Sequence, residues 1–320
     1  MARAGGGSEK KTVLVALGAN LAIAVAKGVA GLLTGSSSIL AEAAHSVADT
    51  FNQGLMLISL ERSQKPADAD HPFGYGKERF FWVLLAAIFI FVSGGVFSIG
   101  EGLYRALLGT SGGKESWVIA YAVLIFAFVA EGISLIRAVR QTHARAREAD
   151  LPFFAFVRES KEPTVKTVVA EDAAAVVGVV IAIAGTAAHQ LTGSVVWDGI
   201  AAVLIGLLLC IVGWTLGRNT MGLLIGAPAR PDERERLRRV LDHHDAVDDV
   251  VELLTMYTGP HSVLVAVRLD FAGGLSSDDV ERVSCEIEEQ LRAELEDVDE
   301  VFLDATPRSR RGSARAAERV

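Results

Sequence analysis

Cysteine is scarce in this chain of 320 residues: Cys210 lies inside an apolar run and Cys285 in an acidic amphipathic stretch. Two such residues supply neither a disulfide framework nor a cysteine zinc cage, and each is expected to pack as a small hydrophobe. A phosphate loop is missing too. "GYGK" at Gly74–Lys77 lacks the rest of the G-x-x-x-x-G-K-[ST] pattern, and Glu78 follows it. No H-E-x-x-H string occurs, so an intramembrane metal hydrolase has no general base beside an open metal. These absences point away from a nucleotide-driven pump and from an enzyme, and neither catalytic residues nor a resident cofactor is expected. Basic excess is also lacking. Lys and Arg number 31 against 39 Asp and Glu, a net charge of -8, which argues against nucleic acid as a partner. The opening "MARAGGGSEKK" has no apolar core and no small-residue cleavage site, so no removed secretory leader is expected.

What the chain does have is apolar length. It is 51% hydrophobic with only 7% aromatic residues, and its mean hydropathy is +0.36. That is too apolar for a soluble domain of this size. Runs of roughly 20 residues, long enough to cross about 30 Å of hydrocarbon, recur along the first two thirds. They place six spans at about 12–34, 36–60, 80–108, 116–138, 164–190 and 194–217. Basic residues crowd three places: ahead of span one (Arg3, Lys10, Lys11), between spans two and three (Arg62, Lys65, Lys77, Arg79), and between spans four and five. The opposite loops carry only Lys114. By the positive-inside rule both termini are cytoplasmic, with the plasma membrane as the expected location.

After "LLIGAPARP" the pattern becomes that of a soluble domain, with Pro228 and Pro231 at the break. Helix, strand, strand, helix and strand follow in order. The expected fold class is an α-helical polytopic membrane protein, six transmembrane helices plus a small cytoplasmic α+β C-terminal domain. Its expected divisions are a tail over 1–11, the bundle over 12–218, the α+β domain over 227–306 and a disordered basic tail over 307–320.

A charge at mid-bilayer costs several kcal/mol, so ionisable residues inside spans are read as functional first. Span two, "SSSILAEAAHSVADTFNQGLMLISL", carries His45 and Asp49 at i and i+4, neighbours on one helical face. Glu42 lies nearly on that face. Span five carries the adjacent Glu171 and Asp172, about 100° apart around the helix, so the two straddle a line near Val168 and Ala175. Packing of the two spans would let His45, Asp49 and Asp172 form three ligands of a tetrahedral site, with Glu171 or a water as the fourth. Such a nitrogen and oxygen set suits a zinc ion that must also leave. Lys27, Glu101 and Glu131 are read as snorkelling groups or interhelical partners, Asp198 as structural, and His243 and His244 as a solvated helix end.

The strings "TGSSSILAEAAHSVADT", "KPADADHPFGYGKERF" and the "ED" of span five together resemble the cation diffusion facilitator family, closest to its zinc transporter nine-like branch. The resemblance covers about residues 12–306. It implies a homodimer in a lipid bilayer that exports zinc from the cytoplasm against protons, with metal ligands His45, Asp49 and Asp172. Val168 stands where the family places a further ligand, and Glu171 is the residue able to compensate. A secondary loop site is half kept in Asp68 and His71, with Tyr75 where many members have His. The family's cytoplasmic histidine cluster falls on Val251, Arg268 and Asp304, so no binuclear zinc site is expected there. Two alternatives remain: a transport-inactive scaffold or regulator of the same fold, and a transporter of manganese, iron, cobalt or cadmium.

Overall fold

The structure, a computed structural model, describes residues 6–108, 116–148, 152–159 and 163–306. The basic tail expected over 307–320 lies outside them, as does the side chain of Val168. The chain forms two compact units, one built from residues up to Glu61 and from Phe80–Met221, the other from Arg62–Arg79 and from Gly222 onward.

The first unit is helical. Helices α1 (Gly6–Thr34) and α2 (Ser37–Ser63) are followed by α3 (Glu78–Phe89), a π-helical segment (Ile90–Val96) and α4 (Phe97–Leu108), which run on as one span. Then come α5 (Trp117–Glu148), the short α6 (Phe153–Glu159), α7 (Pro163–Thr192) and α8 (Val196–Ile225). Helix α1 starts at Gly6, inside the stretch expected to be a tail, and α5 continues well past the expected end of span four. Among the described residues four helical stretches are long and apolar enough to cross a membrane, namely Glu78–Leu108, Trp117–Glu148, Val169–Thr192 and Val196–Ile225.

The unit buries a core that includes Ile39, Ile90, Leu124, Ile205 and Leu209, yet much of its large apolar surface stays outside. Large apolar side chains point outward, among them Leu32, Leu107, Phe126, Ile211 and Trp214. Many other buried positions are held by small residues such as Ala30, Ala41, Ala48, Ala127, Ala182 and Ala202, and by polar ones. Lipid tails are as apolar as leucine, so helices associate where small residues let backbones approach and where polar groups find partners.

Two hairpins close with the same turn. At the end of α1, Thr34 donates to the Ala30 carbonyl at 2.7 Å, Gly35 adopts φ 67° and Thr34 Oγ1 accepts from the Ser36 amide. At the end of α7, Thr192 donates to the Ala188 carbonyl at 2.7 Å, Gly193 adopts φ 70° and Thr192 Oγ1 accepts from Ser194. Glycine terminates both helices because only it enters the left-handed region without strain. Asp198, near the start of α8, is buried against the N-terminus of α2. Its carboxylate accepts from the Ser37 amide at 2.5 Å, from the Ser36 hydroxyl at 2.7 Å, and from the Ser37 and Ser38 hydroxyls. An anion at this point meets the orphan amides and the positive end of the helix dipole.

Helix α8 meets the α3–α4 span along a glycine seam. Gly199, Gly206 and Gly213 recur at heptad spacing. A Cβ on Gly206 would stand 2.7 Å from the Gly95 carbonyl oxygen, one on Gly199 2.7 Å from that of Gly102, and one on Gly213 3.0 Å from that of Ala87. The π-helical segment contributes Gly94 and Gly95 to this contact.

The second unit has the expected order: α9 (Pro231–Asp242), β1 (Val247–Gly259), β2 (Ser262–Phe271), α10 (Ser277–Glu294) and β3 (Val298–Ala305). Strand β2 is central, antiparallel to β1 and parallel to β3. One face buries Val263, Val265, Val267 and Leu269 together with Leu237 and Leu241 of α9 and Ile287 and Leu291 of α10. On the other face Leu254, Ala266 and Phe302 stand in register across the three strands.

Gly206→Ala is expected to lower the melting temperature of the purified protein, the overpacking being worth about 1–3 kcal/mol. Gly222→Ala, where a Cβ meets nothing within 4 Å, serves as the control in the same thermal scan and should change little.

Candidate metal centre

Helices α2 and α7 lie side by side. Asn52 of α2 donates through Nδ2 to both carboxylate oxygens of Glu171 of α7, at 2.8 and 2.7 Å. A turn or more along, a Cβ on Gly178 of α7 would collide with Glu42 Oε1, so glycine there lets the two helices close around that carboxylate.

His45 is buried, and its Nε2 lies 3.5 Å from Asp49 Oδ2, the pairing expected of i and i+4. Among the described residues neither ring nitrogen of His45 finds a hydrogen-bond partner, nor does Asp49 Oδ1 or Asn52 Oδ1. Buried lone pairs without donors are costly, and they are the chemistry a divalent cation satisfies. A neutral imidazole and carboxylates form a borderline donor set that fits zinc and, with more oxygen, harder ions.

The expected ligands are only partly brought together. Asp172 is held by Ser134 of α5, whose hydroxyl donates to Oδ2 at 3.0 Å. Glu171 is held by Asn52. Among the described residues no group of three His, Cys, Asp or Glu side chains stands ready to hold a metal ion. Asp49, Glu171 and Asp172 nonetheless lie within electrostatic range of one another. The two α7 carboxylates turn to hydrogen-bond donors on either side instead of converging on like charge.

Glu42, nearly on the face of His45 and Asp49, is taken up by a lysine. Lys27 of α1, with no exposed surface, donates to Glu42 Oε2 at 3.0 Å, to Ser46 Oγ at 2.9 Å and to Glu131 Oε1 of α5 at 3.4 Å. A buried ammonium has a stronger claim on a carboxylate than a neutral imidazole has. Lys27 and Glu131 are thus the interhelical partners anticipated, and Ser46 and Glu42 complete the set. Asn52 and Ser134 were missed by sequence reasoning. Asn52 carried a usable signal, since it follows His45 at i+7 on the same face.

In the loop between α2 and α3, Asp68 and His71 are neighbours but the loop's own structure takes up the carboxylate. Oδ1 accepts from the amides of Asp70 and His71 at 3.0 and 2.8 Å, and Oδ2 accepts from the Tyr75 hydroxyl at 2.8 Å. The His71 ring stacks on Tyr75 with centroids 4.1 Å apart. In the second unit Val251 is buried, and Arg268 reaches Glu252 at 2.8 Å and Asp304 at 3.4 Å. The guanidinium places a fixed positive charge between two carboxylates where the resemblance put a histidine cluster.

Residues 13–225 match the family described as the cation efflux transmembrane domain, and residues 229–307 match the cation efflux protein cytoplasmic domain. The chain is 31% identical over 294 residues to the proton-coupled zinc antiporter SLC30A9, mitochondrial, of Xenopus laevis, covering 89% of this chain and 52% of that protein. It is 31% identical over 267 residues to the human protein of the same name, covering 82% and 46%. The chain therefore spans about half the length of these relatives. The manganese efflux system protein MneP of Bacillus subtilis (strain 168) is 27% identical over 299 residues, covering 93% of this chain and 96% of that one.

The Tyr75 hydroxyl is the largest influence on Asp68, followed by the His71 amide, and together they hold its carboxyl below the ordinary 3.8. With the folded value depressed, the stabilisation Asp68 gives the loop is complete above 3.8 and is lost as pH falls through the folded value. Tyr75→Phe should raise the Asp68 pKa toward the ordinary value, as read by a carboxyl NMR titration.

Proposed function

The chain belongs to the cation efflux family of membrane transporters, and from that membership we propose that it moves a divalent cation, zinc in the first instance, out of the cytoplasm in exchange for protons. The ion is held between α2 and α7 by His45, Asp49 and Asp172, with Glu171 as the fourth ligand. The observation that carries this reading is the set of buried, donorless lone pairs on His45 and Asp49, facing the Glu171 and Asp172 helix. Relatives whose names describe proton-coupled zinc antiporters support the choice of ion and of exchange.

His45 binds metal only through an unprotonated nitrogen, and the carboxylates only as anions. Metal and protons therefore compete for the same lone pairs. On the cytoplasmic side the metal displaces protons; on the opposite side, at lower pH, protons return and the metal leaves. Binding and coupling are then one event at one site. Asn52 and Ser134 aim the α7 carboxylates in this scheme, and the Asp68 and His71 loop takes no part.

Manganese is the second reading. The manganese efflux relative matches nearly end to end, and Asn52 Oδ1 adds a neutral oxygen donor on the face of His45 and Asp49, which suits a harder ion. We further assign the sheet face of the second unit that carries Leu254 and Phe302, both half exposed, to pairing with a second copy. The basic residues near the span ends support cytoplasmic termini. The names of the vertebrate relatives place those proteins in mitochondria, so they lend no support to the plasma membrane.

Proteoliposomes carrying an imposed pH gradient should take up zinc, and Asp49→Ala and Asp172→Ala should each reduce the initial rate by at least about tenfold, equivalent to about 1.4 kcal/mol. Well-folded wild type that moves neither zinc nor manganese would instead make the chain a scaffold.

A further inference from the structure

The outer surface of the first unit is indented where α3 and α8 run side by side. A groove of about 490 Å³ lies between them, within the size range of ligand sites. Its floor is made of small residues. A Cβ on Gly217 would meet only Ala87 and Leu84, each at 3.7 Å, and Gly213 lies one turn away on the same helix. Its walls are Leu84, Ile88 and Phe91 of α3 with Trp214 and Met221 of α8. Ile88, Trp214 and Met221 are more than half exposed, so the groove opens outward.

One residue of the lining is charged. Arg218 is exposed, and among the described residues its guanidinium has no ion-pair or hydrogen-bond partner. None of the described residues that line the groove is acidic. At about 1.5 Å per residue, Arg218 stands roughly 33 Å along α8 from Val196. That distance is about one hydrocarbon thickness, which brings the guanidinium to headgroup level. Trp214, one turn deeper on the same face, carries the amphipathic ring that is enriched at this boundary. The groove thus begins at a fixed positive charge and continues for roughly 12 Å, from Met221 to Gly213, along the acyl layer.

We propose that this groove binds one anionic phospholipid, with an acyl chain lying between α3 and α8 and the phosphate held by Arg218. A guanidinium offers a fork of N–H donors that matches phosphate oxygens. A headgroup of net negative charge satisfies it, whereas a zwitterionic headgroup brings its own cation alongside. Free phosphate would leave the apolar walls unfilled. A second copy is the poorer occupant, because an isologous contact joins two acid-free linings and leaves both guanidiniums unpaired. The inference depends on the membrane location of the first unit and not on which ion is carried.

The test is native mass spectrometry of the full chain released from nanodiscs of phosphatidylcholine with a minor share of phosphatidylglycerol, both with the same acyl chains. Wild type should retain one phosphatidylglycerol per chain in preference to phosphatidylcholine. Arg218→Leu should lower that preference about fivefold, the effect of one basic residue at a lipid surface, and Arg218→Lys should keep most of it. Ile88→Trp keeps the charge but fills the groove, and it should lose the retained lipid. Both positions are exposed, so each variant is expected to fold, as a thermal scan checks. Equal retention of the two lipids by wild type overturns the proposal, as does wild-type behaviour in Arg218→Leu or in Ile88→Trp. A lipid-free wild-type dimer that Ile88→Trp weakens also overturns it, and would give the groove to a second copy.

Discussion

An ammonium inside hydrocarbon can be neither hydrated nor moved to water, so the helices around Lys27 must be arranged to meet it. Its acceptors come from α2 and α5, which fixes both against α1. Glu42 passes the constraint to α7, because its second oxygen fits only where Gly178 has no side chain. The spacing of the helices that carry His45, Asp49 and Asp172 is therefore set by a charge cluster next to them on the same side of α2. Truncating one member of such a buried group leaves another uncompensated, a loss of about 3–5 kcal/mol. The stability of the bundle and the geometry of the candidate site thus share one cause.

Much of this was written in local pattern. Run length marked the spans, and i, i+4 spacing brought His45 and Asp49 together, because both depend only on helix geometry. The order of helices and strands in the second unit was likewise legible and is the one observed. The identity of the Lys27 partners was not legible, since Glu131 is 104 residues away and its approach depends on how α1, α2 and α5 pack. For the same reason the hold of Lys27 on Glu42 was not legible. Helical periodicity gives a direction to within part of a turn, and only a neighbour decides which of two adjacent groups claims it. The π-helical segment left no local mark either, as its residues, Ile90–Val96, read as ordinary apolar helix. Val168 was legible as a departure, and Asn52 as a donor at i+7, but the hydrogen bond joining Asn52 to Glu171 belongs to tertiary structure.

The second unit settles its polar groups by internal supply. Glu233 is buried at the start of α9, where it caps the Arg230 amide at 3.0 Å and accepts from the Tyr257 hydroxyl at 2.9 Å. Burial pushes that phenol up to about 12. Arg268, with Glu252 and Asp304, is more exposed, so its ion pairs add little stability. Their effect is on what the sheet face attracts, since a cation approaching the two carboxylates meets a guanidinium first. The α2–α3 loop folds with this unit: Phe73 packs edge-on against Phe302, and Gly76 lies so close to Thr258 that a Cβ would stand 2.5 Å from its carbonyl oxygen. Residues 62–79 thus pack on the sheet of their own unit.

The glycine seam makes the bundle unequal under random change. Most contacts in a protein can be lost or gained by mutation, but a contact made of missing side chains can only be filled. At Gly199, Gly206 and Gly213 every substitution adds atoms against a carbonyl oxygen, so drift there runs in one direction, toward prying α8 from its partner. Outward-facing positions on the same helix, such as Leu207 and Ile211, are exposed and should tolerate any comparably apolar residue. Over long divergence the outer surface of α8 should scramble while its seam stays bare. Relatives that have lost all other likeness in this region would then still be traceable by a heptad of absences.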